Sequence, residues 1–216
     1  MMEQPQSLTI GMHAPEFTAN STFGPLKMSD FKGSWLVFFS HPGDFTPVCT
    51  TEFLAFAQAA DTFQGLNTKL LGLSIDSNPS HLAWVQSIYE TTGVHIPFPI
   101  VADRVGDIAR LYGMIAPDVD TQATVRSVFI IDPAQVIRAV MLYPMTNGRS
   151  ITEIIRLVSA LQFSDAHNAS TPADWQPGQL GLAGVPATYN QMMERVDDPD
   201  LLSLACNEWY WCYKTK

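Results

Sequence analysis

Continuous apolar runs alternate along this chain with stretches whose apolar residues recur every three or four positions. The runs at 35–40 (WLVFFS) and 69–76 (KLLGLSID) read as buried strands, since no regular polar alternation marks a solvated face. Between them, 51–63 places its apolar residues at helical spacing, so the three segments predict a β-α-β unit. A second helix is predicted over 79–92, with Asn78 as its cap and Pro79 in the first turn, where the missing N–H has no intrahelical partner anyway. A short strand at 98–102 and a short helix at 107–112 follow. The runs at 127–131 and 136–142 are split by Asp132-Pro133-Ala134-Gln135 and read as a hairpin, after which 151–161 returns to helical period.

This order predicts an α/β fold, a thioredoxin-like sandwich on a mixed sheet, with no internal repeat. After Phe163 the composition changes. The stretch STPADWQPGQLGLAGVPATY is rich in Pro, Gly, Ala and Thr, and the chain then reaches the aromatic segment Trp209-Tyr210-Trp211-Cys212-Tyr213. Such a segment has few ways to bury a core alone. Residues 1–163 are therefore expected to form the main domain and 164–216 a smaller arm that wraps on it or on a neighbouring subunit.

Composition narrows the function classes. With 46% hydrophobic and 15% charged residues the chain is expected to be ordered and globular. A net charge of -9, from 12 Lys+Arg against 21 Asp+Glu with no run of like charge, offers no footprint for nucleic acid or an anionic membrane. Residues 1–14 lack a basic stretch followed by an apolar one, and no apolar run approaches the roughly 20 residues of a membrane span, so a cytoplasmic location is expected. The three cysteines, Cys49, Cys206 and Cys212, are too few to staple a domain of this size and point to catalytic or redox use.

The densest chemistry follows the first buried run. His41-Pro42-Gly43-Asp44-Phe45-Thr46-Pro47-Val48-Cys49-Thr50-Thr51-Glu52 turns through two prolines and enters a helix at Cys49. A cysteine in a first helical turn faces unpaired N–H groups and the positive end of the dipole, which favours the thiolate. Thr46 can accept one hydrogen bond while donating another to the sulfur or to a group bound beside it. Pro42 and Pro47 stiffen the loop and remove donors that would compete with substrate.

Pro42, Thr46 and Cys49 match Pro-x-x-x-Thr-x-x-Cys, and on this pattern the chain resembles the peroxiredoxins. The longer string around Cys49 is similar to the one-cysteine and archaeal-type subgroup. The similarity extends through 125–133 (VRSVFIIDP), Tyr143-Pro144, Gly148-Arg149 and the length of the arm, and so covers nearly the whole chain. It implies a thiol peroxidase in which Cys49 attacks the O–O bond of a hydroperoxide, releases water or an alcohol and becomes a sulfenic acid. It also implies that Arg126 stands beside Cys49, where its fixed charge stabilises the thiolate and the departing alkoxide. Arg149 is implied to hold Glu52 or the loop, and His41 to lie near the pocket. Taken alone, Arg149 reads as a surface residue, Glu52 as a helix-end carboxylate and His41 as a structural hydrogen-bonder. Nothing supplies four convergent Cys/His ligands, so neither a metal nor a bound cofactor is expected.

The same resemblance bears on Cys206 and Cys212, which look like the tail cysteines of archaeal-type relatives. There the later cysteine forms a disulfide with the nucleophile of the other subunit. The resemblance thus implies Cys212 as the resolving cysteine, Cys206 as an auxiliary thiol, and recycling by an external dithiol such as thioredoxin or a glutaredoxin-like protein. It further implies a homodimer assembled as a pentamer of dimers. Two alternatives stand beside it: a one-cysteine mechanism in which an external thiol resolves Cys49, and a redox-regulated holdase. A thioredoxin-type exchanger is disfavoured because the helix start lacks Cys-x-x-Cys. A lipid hydrolase is disfavoured too: Gly33-Ser34-Trp35 is similar to a serine motif found in the subgroup, yet Ser29 occupies the place of its histidine and Gly-x-Ser-x-Gly is absent.

Overall fold

A computed structural model describes residues 8–120, 122–198 and 200–215, and the chain separates into two units, Met1–Ile151 and Thr152–Lys216. Residues 1–7, part of the stretch read above for a leader signature, lie outside the described residues.

The first unit begins with an antiparallel pair that the apolar pattern does not announce, β1 (Thr18–Ser21) and β2 (Gly24–Lys27). Each has four residues, too short for its alternation to stand out. There follow β3 (Trp35–Ser40), α1 (Pro47–Gln58), α2 (Ala60–Gly65), β4 (Thr68–Ser74), α3 (Asn78–Thr92), β5 (Ile100–Ala102), α4 (Asp107–Leu111), β6 (Arg126–Ile131) and β7 (Ile137–Tyr143). The strands form one mixed sheet in the order β2-β1-β5-β4-β3-β6-β7. All six residues of β3 are buried, because it pairs with parallel β4 on one side and antiparallel β6 on the other and is covered on both faces.

Alternation along β3 divides the core. Phe38 meets Tyr112 edge-on at 4.9 Å on one face, and Phe39 stacks on Phe56 of α1 at 4.2 Å on the other. Phe53 of α1 lies 5.5 Å from Phe39, and at Gly72 of β4 an added Cβ would stand 3.2 Å from the Phe53 ring. The glycine thus lets the helix settle close to the sheet. Burial of Phe53 and Phe56, worth roughly 1.5–3 kcal/mol each, pins the helix whose first turn carries Cys49.

Two local expectations shift. The predicted helix over 51–63 is two helices, α1 and α2, broken at Ala59, and α1 starts earlier, at Pro47. The cap of α3 is Ser77, whose Oγ accepts from Ser80 N, and Asn78 takes the first helical position. The β6–β7 hairpin forms where expected, with Asp132 Oδ1 accepting from the N–H groups of Ala134 and Val136.

The second unit comprises most of α5 (Ile151–His167), together with α6 (Tyr189–Asp197), β8 (Leu204–Glu208) and β9 (Trp211–Lys214). Helix α5 runs across the predicted border at 163/164. The arm buries a small cluster of its own: Phe163 packs on Trp175 at 4.8 Å, and the Trp175 indole donates to Gln179 O. A Cβ at Gly181 would meet the Phe163 ring at 2.6 Å, so the approach of that segment needs glycine. Leu182 bridges to Tyr213, which lays residues 181–183 along the open side of β9.

Candidate functional site

The turn between β3 and α1 is held by its own polar groups. Asp44 N–H donates to Asp76 Oδ2 at 2.9 Å, tying the turn to the end of β4. Thr46 is the N-cap residue of α1 but makes no side-chain cap; its hydroxyl donates to Gly43 O at 2.9 Å. What Thr46 offers a bound molecule is therefore its oxygen lone pairs, a departure from the donor expected above. Pro47 fills the first helical position, so Cys49 sits in the first turn as expected. Phe45 adopts a left-handed conformation (φ 54°) with 59% of its surface exposed.

Around Cys49 the structure gathers three charged side chains. Arg126 Nη1 lies 3.2 Å from Cys49 Sγ and donates to Glu52 Oε2 at 2.7 Å, while its Nε donates to Met145 O. Arg149 approaches the same carboxylate with its backbone N–H and Nε on Oε1 and its Nη2 on Oε2. Its Nη1 reaches the carbonyls of Ser40 and Ser127, and the guanidinium lies over the Phe39 ring. The cluster is buried throughout, and Cys49 is 0% exposed. Burial alone would raise the Glu52 carboxyl, but the Arg149 bonds outweigh it and hold it below the usual range. Two guanidiniums and one carboxylate leave a buried charge of +1, and a thiolate at Cys49 brings the sum to zero. Of the two isolated readings, surface arginine for Arg149 and free helix-end carboxylate for Glu52, neither describes these buried, paired side chains.

Sequence reasoning passed over a second network. The Asp44 carboxylate takes hydrogen bonds from His41 Nε2 at 3.0 Å and His81 Nδ1 at 2.9 Å, and His81 Nε2 faces Val101 O at 3.2 Å. Burial lowers His41, which is accordingly neutral, and its Nδ1 has no partner among the described residues. Burial would raise Asp44, yet the two imidazoles hold it well below the ordinary carboxylate range. These three residues are the one donor group compact enough to share a metal, with ligand atoms within 4.8 Å of one another among the described residues. Their contacts of 2.9–3.0 Å are those of hydrogen bonds, shorter than the about 3.3 Å ligand separation of a tetrahedral site with roughly 2.0–2.1 Å bonds. Asp44 lies within the quoted motif string, but His81 is a lone histidine on a helix with no spacing to mark it.

In the arm, Cys206 and Cys212 face each other across β8 and β9 and are joined in a disulfide, while Cys49 is a free thiol. The resemblance implied Cys212 as partner of the other subunit's Cys49 and Cys206 as an auxiliary thiol; here the two tail cysteines are bonded to one another.

Against known proteins, the AhpC/TSA family model matches residues 10–140, and that of the C-terminal domain of 1-Cys peroxiredoxin matches residues 160–198. The chain belongs to the AhpC/TSA family. Peroxiredoxin 2 of Caldanaerobacter subterraneus subsp. tengcongensis is 53% identical over 205 residues, covering 95% of this chain and 92% of its own. The peroxiredoxin of Aquifex aeolicus is 47% identical over 216 residues, covering 95% and 96%. Among solved structures, peroxiredoxin 6 of Arenicola marina superposes with a TM-score of 0.85 at 35% identity, over 96% of this chain and 98% of its own. A yeast mitochondrial 1-Cys peroxiredoxin gives 0.83 at 35% identity, over 96% and 99%. As a peroxiredoxin the chain is a thiol peroxidase with the family's thioredoxin-like fold, an oxidoreductase of antioxidant function. No helix among the described residues is long and apolar enough to cross a membrane.

Proposed function

We propose that the peroxidase cycle runs on Cys49 as nucleophile, Cys212 as resolving thiol and Cys206 as the thiol that closes the cycle. The observation that carries the first assignment is the Arg126 guanidinium 3.2 Å from the Cys49 sulfur, in a buried cluster whose charge a thiolate neutralises. The thiolate attacks the hydroxyl-bearing oxygen of hydrogen peroxide or an organic hydroperoxide. The O–O bond breaks, the other oxygen leaves as hydroxide or alkoxide beside Arg126 and takes a proton, and the sulfur becomes a sulfenic acid. Pro42 shapes the loop, Thr46 accepts from the attacked oxygen's O–H, Glu52 and Arg149 hold Arg126 in line, and His41 borders the loop. Because Cys49 is fully buried, the loop carrying the exposed Phe45 must open to admit the peroxide.

Cys212 of a second subunit then attacks the sulfenic sulfur, water leaves and a disulfide forms. Cys206 next displaces Cys49 from Cys212, which returns Cys49 as a thiol and leaves Cys206–Cys212 oxidised. The combination of a free Cys49 and a closed arm disulfide is what that step would leave, which supports the relay. A dithiol protein such as thioredoxin or a glutaredoxin-like partner, in the cytoplasm, reduces the pair. The arm, residues 164–216, serves dimerisation. In support, β7 is a sheet edge carrying Leu142 at 65% exposure, and Val185 and Tyr189 of the arm are exposed as well. These exposed surfaces and the family support a homodimer, assembled five-fold.

A second reading keeps Cys49 as nucleophile but lets an external thiol resolve it. Cys212 is wholly buried, and residues 160–198 match a domain named for one-cysteine enzymes. Non-reducing gels of peroxide-treated protein decide between the two. A covalent dimer that accumulates in Cys206→Ser and is absent in Cys212→Ser supports the relay; no covalent dimer in Cys206→Ser, with turnover intact in Cys212→Ser, establishes the second reading.

A further inference from the structure

We infer that the external dithiol enters at Cys206 and not at Cys212, so that Cys206 is the docking sulfur for the reductant. The inference rests on the relay proposed above and adds the direction in which its last disulfide is opened. Thiol–disulfide exchange is an in-line displacement: the incoming thiolate needs free access to one sulfur from the side opposite the other. The two sulfurs of this hairpin differ in that respect. Cys212 lies on β9, between β8 and residues 181–183, whose backbone bonds it from the other side through Ala183 N to Cys212 O and Lys214 N to Gly181 O. It is 0% exposed. Cys206 lies on β8, the outer strand of this small arrangement, and is partly exposed.

Polarity separates the two sulfurs in the same sense. The polar neighbours of Cys212 Sγ are the carbonyl oxygens of Glu208 at 3.3 Å and Trp209 at 3.7 Å. An anionic sulfur approaching there meets two negative dipole ends. The same oxygens would oppose a departing Cys212 anion, so this sulfur must take up its proton as it leaves, and they then accept its S–H. The sequence of steps follows. A thiol of the dithiol attacks Cys206 Sγ as its thiolate, forming a mixed disulfide as the Cys206–Cys212 bond breaks, and Cys212 departs with the electron pair and takes up the proton that the attacking thiol gave up. The partner's second thiol then attacks its own sulfur in the mixed disulfide and releases Cys206. Two electrons pass from the dithiol to the arm, and two thiols are left.

The test uses the full-length wild-type protein, reduced and then treated with one equivalent of hydrogen peroxide, and a thioredoxin whose second active-site cysteine is replaced by serine, which stalls at the mixed disulfide. After acid quench and alkylation, cleavage after Glu208 separates the two arm cysteines for mass spectrometry. We expect the adduct on Cys206, at least about tenfold over Cys212, as a one-sided accessibility difference demands. An adduct mainly on Cys212, or shared equally, overturns the inference and leaves the relay standing. An adduct on Cys49 alone, with neither arm cysteine attacked, overturns the relay itself.

Discussion

Cys49 and Cys212 are both fully buried sulfurs, yet their polar surroundings are of opposite kinds. Cys49 stands in a first helical turn with a guanidinium 3.2 Å away, all donors and positive charge. Cys212 has two backbone carbonyls at 3.3 and 3.7 Å, all acceptors. Donors favour a sulfur anion and acceptors an S–H group, which is the contrast that the proposed cycle uses: one cysteine set to attack and another held back until its hairpin opens. The supports differ as well. Cys49 is fixed by helix packing and paired charges, whereas the arm hairpin is fixed by a few strand bonds and one disulfide.

The largest effect expected is at the first sulfur. Cys49→Ser should abolish peroxide consumption with any dithiol while circular dichroism stays unchanged; surviving turnover would move the nucleophile to the arm and dissolve the contrast. Arg126→Ala should lower kcat/KM for peroxide by about 10²–10³-fold, the cost of losing one oxyanion donor, read by stopped-flow fluorescence of the first oxidation step. A loss under threefold would mean that the guanidinium is structural.

Glu52→Gln leaves two buried guanidiniums without their counter-charge and should destabilise the fold by about 3–5 kcal/mol, seen as a drop in Tm by calorimetry. Acid should act on the same region. Asp44 and Glu52 titrate in the folded state below their unfolded values of about 4, so their contribution is complete above about pH 5 and is lost as pH falls through the lowered values. His41, lowered below 6.5, adds in the same direction from about pH 6.5 downward, since the unfolded chain binds its proton first. Stability is therefore expected to fall monotonically on acidification from pH 7, and Asp44→Asn should flatten the acid limb of Tm against pH. The smallest effect on the first oxidation is at the auxiliary sulfur: Cys206→Ser should leave the stopped-flow burst with peroxide unchanged, because Cys212 still resolves Cys49, while steady-state turnover falls by about tenfold or more, because the dithiol loses its point of entry.

Much of the molecule was legible in the residues themselves. The strand WLVFFS, the β6–β7 hairpin and the turn into α1 follow from short-range pattern, because a near-continuous apolar run can satisfy burial only at the centre of a sheet and a proline cannot donate to the ladder of a central strand. Cys49, Thr46 and Pro42 were marked by spacing within eight residues, and resemblance carried Arg126 to the same place. Tertiary structure alone decided the rest. The Glu52 carboxylate bridges Arg126 and Arg149 from helix to sheet, and Asp44 gathers His41 and His81, although 74, 97 and 37 residues separate Glu52 from Arg126, Glu52 from Arg149, and Asp44 from His81. The partnership of Cys206 with Cys212 depends on a hairpin register that composition does not encode. Charge pairing and disulfide choice are set by distances in space, and a chain declares only its distances along itself.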